Sequence, residues 1–442
     1  MLLKSFRKSG VVSWSNSKNN SHLIACAGIQ PNSAGRYDLD VVSLDIVEKS
    51  KELPIVGSTS CEKPFRSLAW DCFGEKENIY PYGLIFGGME DGAVTIWNAK
   101  DLFQKNRQET DVPLGLVYQE EDPVIDYPIM CAEWNSLKPN LLGYGCSEVI
   151  IIDVGKGFGE DNELYIKPGH KNPHVNSYVT AVTWNKEVPH IMASASENGL
   201  IALWDIKTTS SIFQFRDNSQ STGSRNVSIS WSKSISTQIA VTLDDENKCE
   251  LQIWDLRNQK GPIVVIDKGH TKGLNCMDWC DSDPELILTS GRDNKIICWN
   301  YVRDQQIVTE VQLKEPVVDV KWSKKLPSIF SVTTPSKVQI YSMNENSLYS
   351  YVPKWYKVPV GTSIGPSNQL ISYNERDGNV LTEYQLTHKT EGLGERLHSL
   401  NTLLKDQNYQ GHIEQRLSQK EDLEFWRLAE LMAGTFTESD IY

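Results

Sequence analysis

The chain has 442 residues, carries 44 Lys plus Arg against 57 Asp plus Glu for a net charge of −13, and is 39% hydrophobic. That supply of apolar residues fits one large repeat domain or two to three ordinary ones and speaks against wholesale disorder. The acidic excess speaks against nucleic acid or anionic lipid as the main partner. The opening MLLKSFRKSGVVSW holds no apolar stretch of signal-peptide length, and no later run approaches the roughly 20 residues of a membrane span. Nine scattered Cys read as reduced thiols, so a soluble, cytoplasmic protein without direct membrane insertion is expected.

Along the chain, Trp14, Trp70, Trp134, Trp184, Trp231, Trp279 and Trp322 each close a short alternating segment. A second series follows each by about 20 to 30 residues: Leu44, Trp97, Ile152, Trp204, Trp254, Trp299 and Tyr341. Between the marks lie a short apolar strand, a turn rich in Gly, Asp or Asn, and a β-branched strand. In the clearest copy, 276–300, Met277 and Trp279 share one strand face, and Pro284 interrupts the chain before a strand over 286–289. Arg292, Asp293 and Asn294 then form the turn into a strand over 296–299. Seven phased copies at this spacing predict an all-β, seven-bladed propeller over 1–352. Its ring is expected to close through a strand over Leu2 to Arg7 that completes the last blade and covers an otherwise open edge.

A sealed ring needs no further strands, yet three follow: 355–364, 368–373 and 379–386, separated by turns at Gly365 with Pro366 and at Asp377 with Gly378. This predicts a three-stranded segment over 353–390, one strand short of a blade. Strand alternation is expected to gather Tyr356, Val358, Val360, Ile371, Tyr373, Val380, Tyr384 and Leu386 on one face, with Trp355, Leu370 and Leu381 on the other. Eight such side chains at about 1.5 to 3 kcal/mol each represent on the order of 10 to 20 kcal/mol of burial, so something must cover them. The cover is either the chain's own body or a partner that receives the sheet by strand pairing. The tail, 391–442, then reads as helical. Leu393, Leu397, Leu400 and Leu404 recur at helical spacing, and a second stretch runs from Ser418 and Glu421 to Gly434. It is expected to be the start of a truncated α-solenoid.

Several motifs carry a chemical alternative. Gly361, Ser363 and Gly365 spell G-x-S-x-G with Asp377 and His388 downstream, but a nucleophile elbow needs a strand-to-helix turn and here Pro366 and another strand follow. Gly155, Gly157 and Gly159 lack dinucleotide spacing and read as an inter-blade loop. His170 and His174 are four apart, but Pro173 forbids a regular helix between them and no Cys accompanies them. Cys276 and Cys280 flank Trp279 without C-x-x-C spacing and read as small buried side chains. The acidic run 120–126 reads as solvated loop. No enzyme activity, cofactor or metal is expected.

The Trp-Asp pairs at Trp204 and Trp254 and the Gly-His pairs at 169–170 and 269–270 resemble the WD-repeat family. That resemblance implies a buried hydrogen-bonded set of His270, Ser290, Asp293 and Trp299 with a structural role, and implies that blades with Leu44, Ile152 or Tyr341, or with Glu197 and Asn198 ahead of Gly199, pack without the full set. The whole order of parts is similar to the larger outer-coat subunit of COPII transport vesicles, the Sec-thirty-one type. The segments that carry this are 188–207, 251–266, 277–300 and VPKWYKVPVGTSIG at 352–365. The resemblance implies a scaffold on vesicles leaving the endoplasmic reticulum, peripheral at its exit sites, with the ring at cage vertices among other copies of itself and the inner coat touched only indirectly. It also implies that the strand set completes an open propeller in a smaller, Sec-thirteen-type partner. Partner-binding residues are then Trp355, Tyr356, Val358, Val360, Ile364, Leu370, Ile371, Tyr373, Val380, Tyr384 and Leu386. The rival reading is a generic propeller adaptor that presents peptide-binding loops in another complex.

Overall fold

The computed structural model describes residues 2–343, except 18–19, 46–49, 76–78, 104–114, 120–126, 158–164, 167–172, 175, 209, 217–224, 246–248, 259 and 304. It also describes Pro353 and the backbone of 360–364, 370–374 and 378–382. The chain divides into two units, Met1–Val352 and Pro353–Tyr442.

In the first unit, β1 (Leu2–Phe6) is followed by strands that form seven four-stranded antiparallel sheets. Blade 1 is β2 (Gly10–Trp14), β3 (Leu23–Gly28), β4 (Tyr37–Ser43) and β5 (Ile55–Cys61). Blade 2 is β6 (Phe65–Asp71), β7 (Leu84–Met89), β8 (Val94–Asn98) and β9 (Leu116–Gln119). Blade 3 is β10 (Cys131–Trp134), β11 (Leu141–Gly145), β12 (Val149–Asp153) and β13 (Tyr165–Ile166). Blade 4 is β14 (Val179–Trp184), β15 (Ile191–Ser196), β16 (Ile201–Asp205) and β17 (Ser210–Phe215). Blade 5 is β18 (Arg225–Trp231), β19 (Gln238–Asp244), β20 (Leu251–Asp255) and β21 (Val264–Ile266). Blade 6 is β22 (Leu274–Trp279), β23 (Leu286–Gly291), β24 (Lys295–Asn300) and β25 (Gln306–Gln312). Blade 7 is β26 (Asp319–Trp322), β27 (Ile329–Thr333) and β28 (Val338–Ser342), with β1 as its fourth strand. The first strand of each blade packs on that of the next, and β26 packs back on β2, so the sheets close a ring.

Register explains why the two residue series recur. In every blade the first mark and the third-strand residue stand opposite one residue of the middle strand. The rungs are Trp14–Ile24–Val42, Trp70–Ile85–Trp97, Trp134–Leu142–Ile152 and Trp184–Met192–Trp204. They continue as Trp231–Ile239–Trp254, Trp279–Ile287–Trp299 and Trp322–Phe330–Tyr341. Each rung residue is buried, and three apolar side chains in line across one sheet face form a ridge that packs against the adjacent blade. In the first blade the rung residue is Val42, not Leu44, which lies two residues beyond it and is also buried.

The closing strand behaves as a genuine fourth strand. In blades 1, 2, 4 and 6 the register between third and fourth strands shifts at the rung residue: Val42, Trp97, Trp204 and Trp299. β1 repeats that shift, with Leu2 opposite Tyr341 and Lys4 opposite Ile340. The other edge of β1 is occupied too, because Ser5 N donates to Lys51 O at 2.8 Å and Leu53 N to Ser5 O at 3.2 Å. The chain's first strand is thus bonded to the last blade and the first at once.

Among the described residues the innermost strand of each blade has no strand on its axial side, and at four junctions a side chain of the preceding blade supplies an acceptor there. Ser13 Oγ accepts from Trp70 N at 2.9 Å, Glu133 Oε2 from Trp184 N at 2.9 Å, Thr183 Oγ1 from Trp231 N at 3.3 Å and Asp278 Oδ2 from Trp322 N at 2.7 Å. All four acceptors directly precede the first-series Trp of their blade. Ion pairs join blades at the same level: Lys186 with Glu133 at 2.5 Å and Lys233 with Asp281 at 2.9 Å. Burial acts against the Glu133 carboxylate, but Lys186 and Lys233 hold it below its ordinary range.

Ile287 lies at the middle of the sixth rung, whereas Ile307 is 40% exposed on the outer strand of the same blade. Ile287→Ala is expected to cost about 2 to 5 kcal/mol and Ile307→Ala no more than about 0.5 kcal/mol, read from chemical denaturation midpoints.

Candidate partner-binding sheet and buried blade networks

The second unit contains one described sheet, β29 (Val360–Ile364), β30 (Leu370–Asn374) and β31 (Gly378–Thr382), in the order β29-β30-β31. Among the described residues, both outer edges lack a partner strand. Trp355, Tyr356, Val358, Tyr384 and Leu386 lie outside the described residues, as do His388 and the two tail stretches expected to be helical. The register corrects the expected division of faces. Ile371 stands opposite Ser363 and Leu381, and Tyr373 opposite Gly361 and Asn379. Val380 stands opposite Ser372, itself opposite Thr362, while Leu370 faces Ile364 and Thr382. Ile371, Tyr373 and Leu381 therefore share one side of the pleat, and Val360, Ile364, Leu370 and Val380 share the other. The reason is turn length: loop length fixes hairpin register, and a change of one residue moves a whole strand's set to the opposite side. Ser363 sits inside β29 of this antiparallel meander, not on a strand-to-helix turn, so the geometry of a nucleophile elbow is not formed there.

In the ring, the predicted histidine set is built in blade 6 with one substitution of partner. His270 Nδ1 lies 3.2 Å from Asp293 Oδ1, and its Nε2 lies 2.9 Å from Thr289 Oγ1, which also accepts from Trp299 Nε1 at 2.9 Å. The hydroxyl is therefore Thr289. Ser290, expected in that role, falls on the opposite sheet face and lies 2.8 Å from Cys276 Sγ, because successive strand residues alternate sides. Donors run one way round the set: indole N–H to Thr289, Thr289 O–H to Nε2, and Nδ1–H to carboxylate. Burial, opposed by Asp293, lowers the His270 pKa, which fits a neutral ring. The Asp293 carboxylate, despite burial, is held low by Thr271 N–H, His270 and Lys295 N–H. Gly269 precedes the His at φ +82°, and a Cβ there would meet the Trp299 ring at 2.8 Å, which is the physical content of the Gly-His signature.

Blade 4, expected to lack the full set, carries a variant of it. Trp204 Nε1 donates to Ser194 Oγ at 2.8 Å, Ser194 Oγ lies 2.7 Å from His174 Nε2, His174 Nδ1 lies 2.8 Å from Ser196 Oγ, and Ser196 Oγ donates to Asn198 Oδ1 at 2.6 Å. A serine and an asparagine take the place of the carboxylate, and burial drops the His174 pKa to about 4. The one sequence signal was His174 itself, weighed there only as a metal ligand. Trp254 uses a third solution, donating to Gln252 Oε1 at 3.0 Å.

The remaining chemical alternatives find ordinary structural places. Cys276 and Cys280 are buried and their thiols are pushed up to about 12 by that burial, which makes them poor nucleophiles. Gly155 lies in a short 3-10 turn, and its N–H donates to the capping Asp153 Oδ1 at 3.1 Å. His170, Gly159 and the acidic run 120–126 lie outside the described residues. Among the described residues there is no cluster of three or more His, Cys, Asp or Glu able to hold a metal ion, and no helix long and apolar enough to cross a membrane.

His174 has an ordinary pKa of 6.5 and a native value of about 4, so below about pH 6.5 the unfolded chain binds a proton that the native ring refuses. Its contribution to stability is intact above that pH and declines down to about pH 4, by up to about 3 kcal/mol. His174→Gln should flatten the fall in denaturation midpoint between pH 7 and 5, and Ser194→Ala should cost about 1 to 3 kcal/mol at pH 7 by stranding the Trp204 and His174 nitrogens.

Residues 130–357, just over half of the chain, match a β-propeller family model described as nucleolar protein 10-like, N-terminal domain. The protein transport protein SEC31 of Dictyostelium discoideum is 30% identical over 380 residues, covering 78% of this chain and 27% of the relative. The SEC31 homolog B of Arabidopsis thaliana is 30% identical over 354 residues, covering 77% and 31%. The chain thus spans about a quarter to a third of the length of these relatives. Among solved structures, a chain of "COPII on membranes, outer coat vertex" superposes with a TM-score of 0.67 at 19% identity, covering 86% of this chain and all of that one, a likeness of fold. The chain belongs to the nucleolar protein 10-like N-terminal β-propeller family over its matched half and, by relatives that match more than three quarters of it, to the SEC31 family of protein transport proteins.

Proposed function

We propose that this chain is a scaffold subunit of a COPII-type outer vesicle coat. In this reading its ring takes part in coat vertices, and its three-stranded sheet completes an open propeller in a smaller, Sec-thirteen-type partner. The observation that carries the docking role is the distribution of apolar residues in β29–β31. A sheet that lies on a single surface needs one apolar side. This one has Ile371, Tyr373 and Leu381 on one side and Val360, Ile364, Leu370 and Val380 on the other, the pattern of a blade flanked by neighbours on both faces. Among the described residues its two outer strands also have no partner at their free edges, where a fourth strand from the host would pair. The SEC31 relatives are named as protein transport proteins, and the superposable chains come from assembled COPII coats.

The domain limits follow the same reading: 1–352 as the ring, 353–390 as the donated sheet with Trp355, Tyr356, Val358, Tyr384 and Leu386 extending it, and 391–442 as the start of a helical solenoid. The role is structural and cytoplasmic, on vesicles and exit sites of the endoplasmic reticulum, with other ring copies and the smaller propeller as direct partners.

Deleting 353–390 should abolish co-purification with the smaller propeller while leaving the thermal transition of the ring in place. Ile371→Asp and Val380→Asp lie on opposite sides of the sheet, and each should weaken capture about tenfold or more, since each buries an unpaired charge. Loss in only one of the two would mean docking on a single surface, and full capture by the deletion variant would refute the donated-sheet role.

A further inference from the structure

The closing strand β1 is the outermost strand of blade 7, so it pins the junction between the last blade and the first only at the outer rim. The inner rim of that junction lacks a bond seen at others. Between blades 1 and 2, 3 and 4, 4 and 5, and 6 and 7, the residue before the first-series Trp accepts from the next blade's Trp N–H. At the seam that residue is Lys321, which has no acceptor atom. Two neutral contacts flank the first blade there: Trp14 Nε1 donates to Ser331 Oγ at 3.0 Å towards blade 7, and Ser13 serves blade 2.

A charged contact passes over blade 1 altogether. Lys324, in the loop after β26, donates from Nζ to Trp70 O of blade 2 at 3.4 Å. The neighbouring Asp71 carboxylate is almost wholly buried, and its Oδ1 accepts from Asn16 Nδ2 of blade 1 at 2.6 Å. Among the described residues its Oδ2 has no hydrogen-bond partner; burial raises its pKa, and the charge of Lys324, more than that of Lys325, opposes that rise. Asp281 of blade 6 also feels Lys324. Beside this, Ser17 Oγ of blade 1 donates to Glu75 Oε1 of blade 2 at 2.6 Å.

We propose that Lys324, Asp71 and Asn16 form an inner latch that ties blades 7, 2 and 1 together and holds the seam shut at the axis, in concert with β1 at the rim. Lys324 is its spanning element: with both rims fixed the seam cannot hinge about β1, and with the inner rim free it can.

Hydrogen exchange on the intact chain tests this. In Lys324→Met, amides of β1, β2 and β28 should exchange about tenfold faster, while those of β10 to β25 keep their rates, because the opening is local. Lys324→Arg, which keeps the positive charge and N–H donors for Trp70 O, should restore slow exchange. Asp71→Asn retains an oxygen for Asn16 and removes the charge, and should loosen the same strands. The double variant Lys324→Met with Asp71→Asn should be no looser than the worse single one, as expected of two parts of one device. Unchanged exchange at the seam, an equal rise in all seven blades, or additive effects of the two substitutions would overturn the proposal.

Discussion

The fold rests on a three-residue rung repeated once per blade. An inner-strand Trp, a middle-strand apolar residue and a third-strand apolar residue stand in line across the sheet, all buried. Each rung is the ridge by which one sheet meets the next, so both spacing and size are constrained. An aromatic in the first place fills the gap where blades converge. The third place tolerates Val42, Ile152 or Tyr341 because its burial is shared with the outer strand. In the last blade the rung becomes fully aromatic, with Trp322, Phe330 and Tyr341 ring centroids 5.4 and 5.6 Å apart.

A ring of sheets creates a second problem at its axis, where each inner strand exposes an edge. Extended backbone left without partners there would be costly. The chain answers with acceptors placed one residue before the Trp and with ion pairs between neighbouring blades. The position that supplies an acceptor in blades 1, 3, 4 and 6 holds Lys321 in the last blade, so the seam, where the ring closes, is held by other contacts.

The histidine networks show how a fixed geometry accepts different chemistry. In blade 6 a carboxylate ends the chain of donors, and in blade 4 Ser196 and Asn198 do so without charge. Both satisfy a buried indole and a buried imidazole, which would otherwise lose water without replacement. They differ in how strongly they resist protonation. The networks therefore belong to the stability of the scaffold, while the surface that sets it apart from an ordinary propeller is the extra sheet, apolar on both sides.

The sequence by itself determined the blade number, the ring closure by the first strand, and the presence of strands beyond the ring. Each rests on periodicity and on Trp marks, which survive in one dimension because every blade faces the same packing constraint. Tertiary structure decided what depends on register and on distant partners. Thr289 instead of Ser290 completes the His270 set, since a step of one residue changes sheet face. His174 joins a network with Ser194, Ser196 and Asn198, residues that no local motif pairs with it. Ile371 and Val380 part to opposite sides of their sheet because loop length fixes strand parity. Lys324 meets blade 2 across more than 250 positions of chain, a contact that exists only because the ring closes.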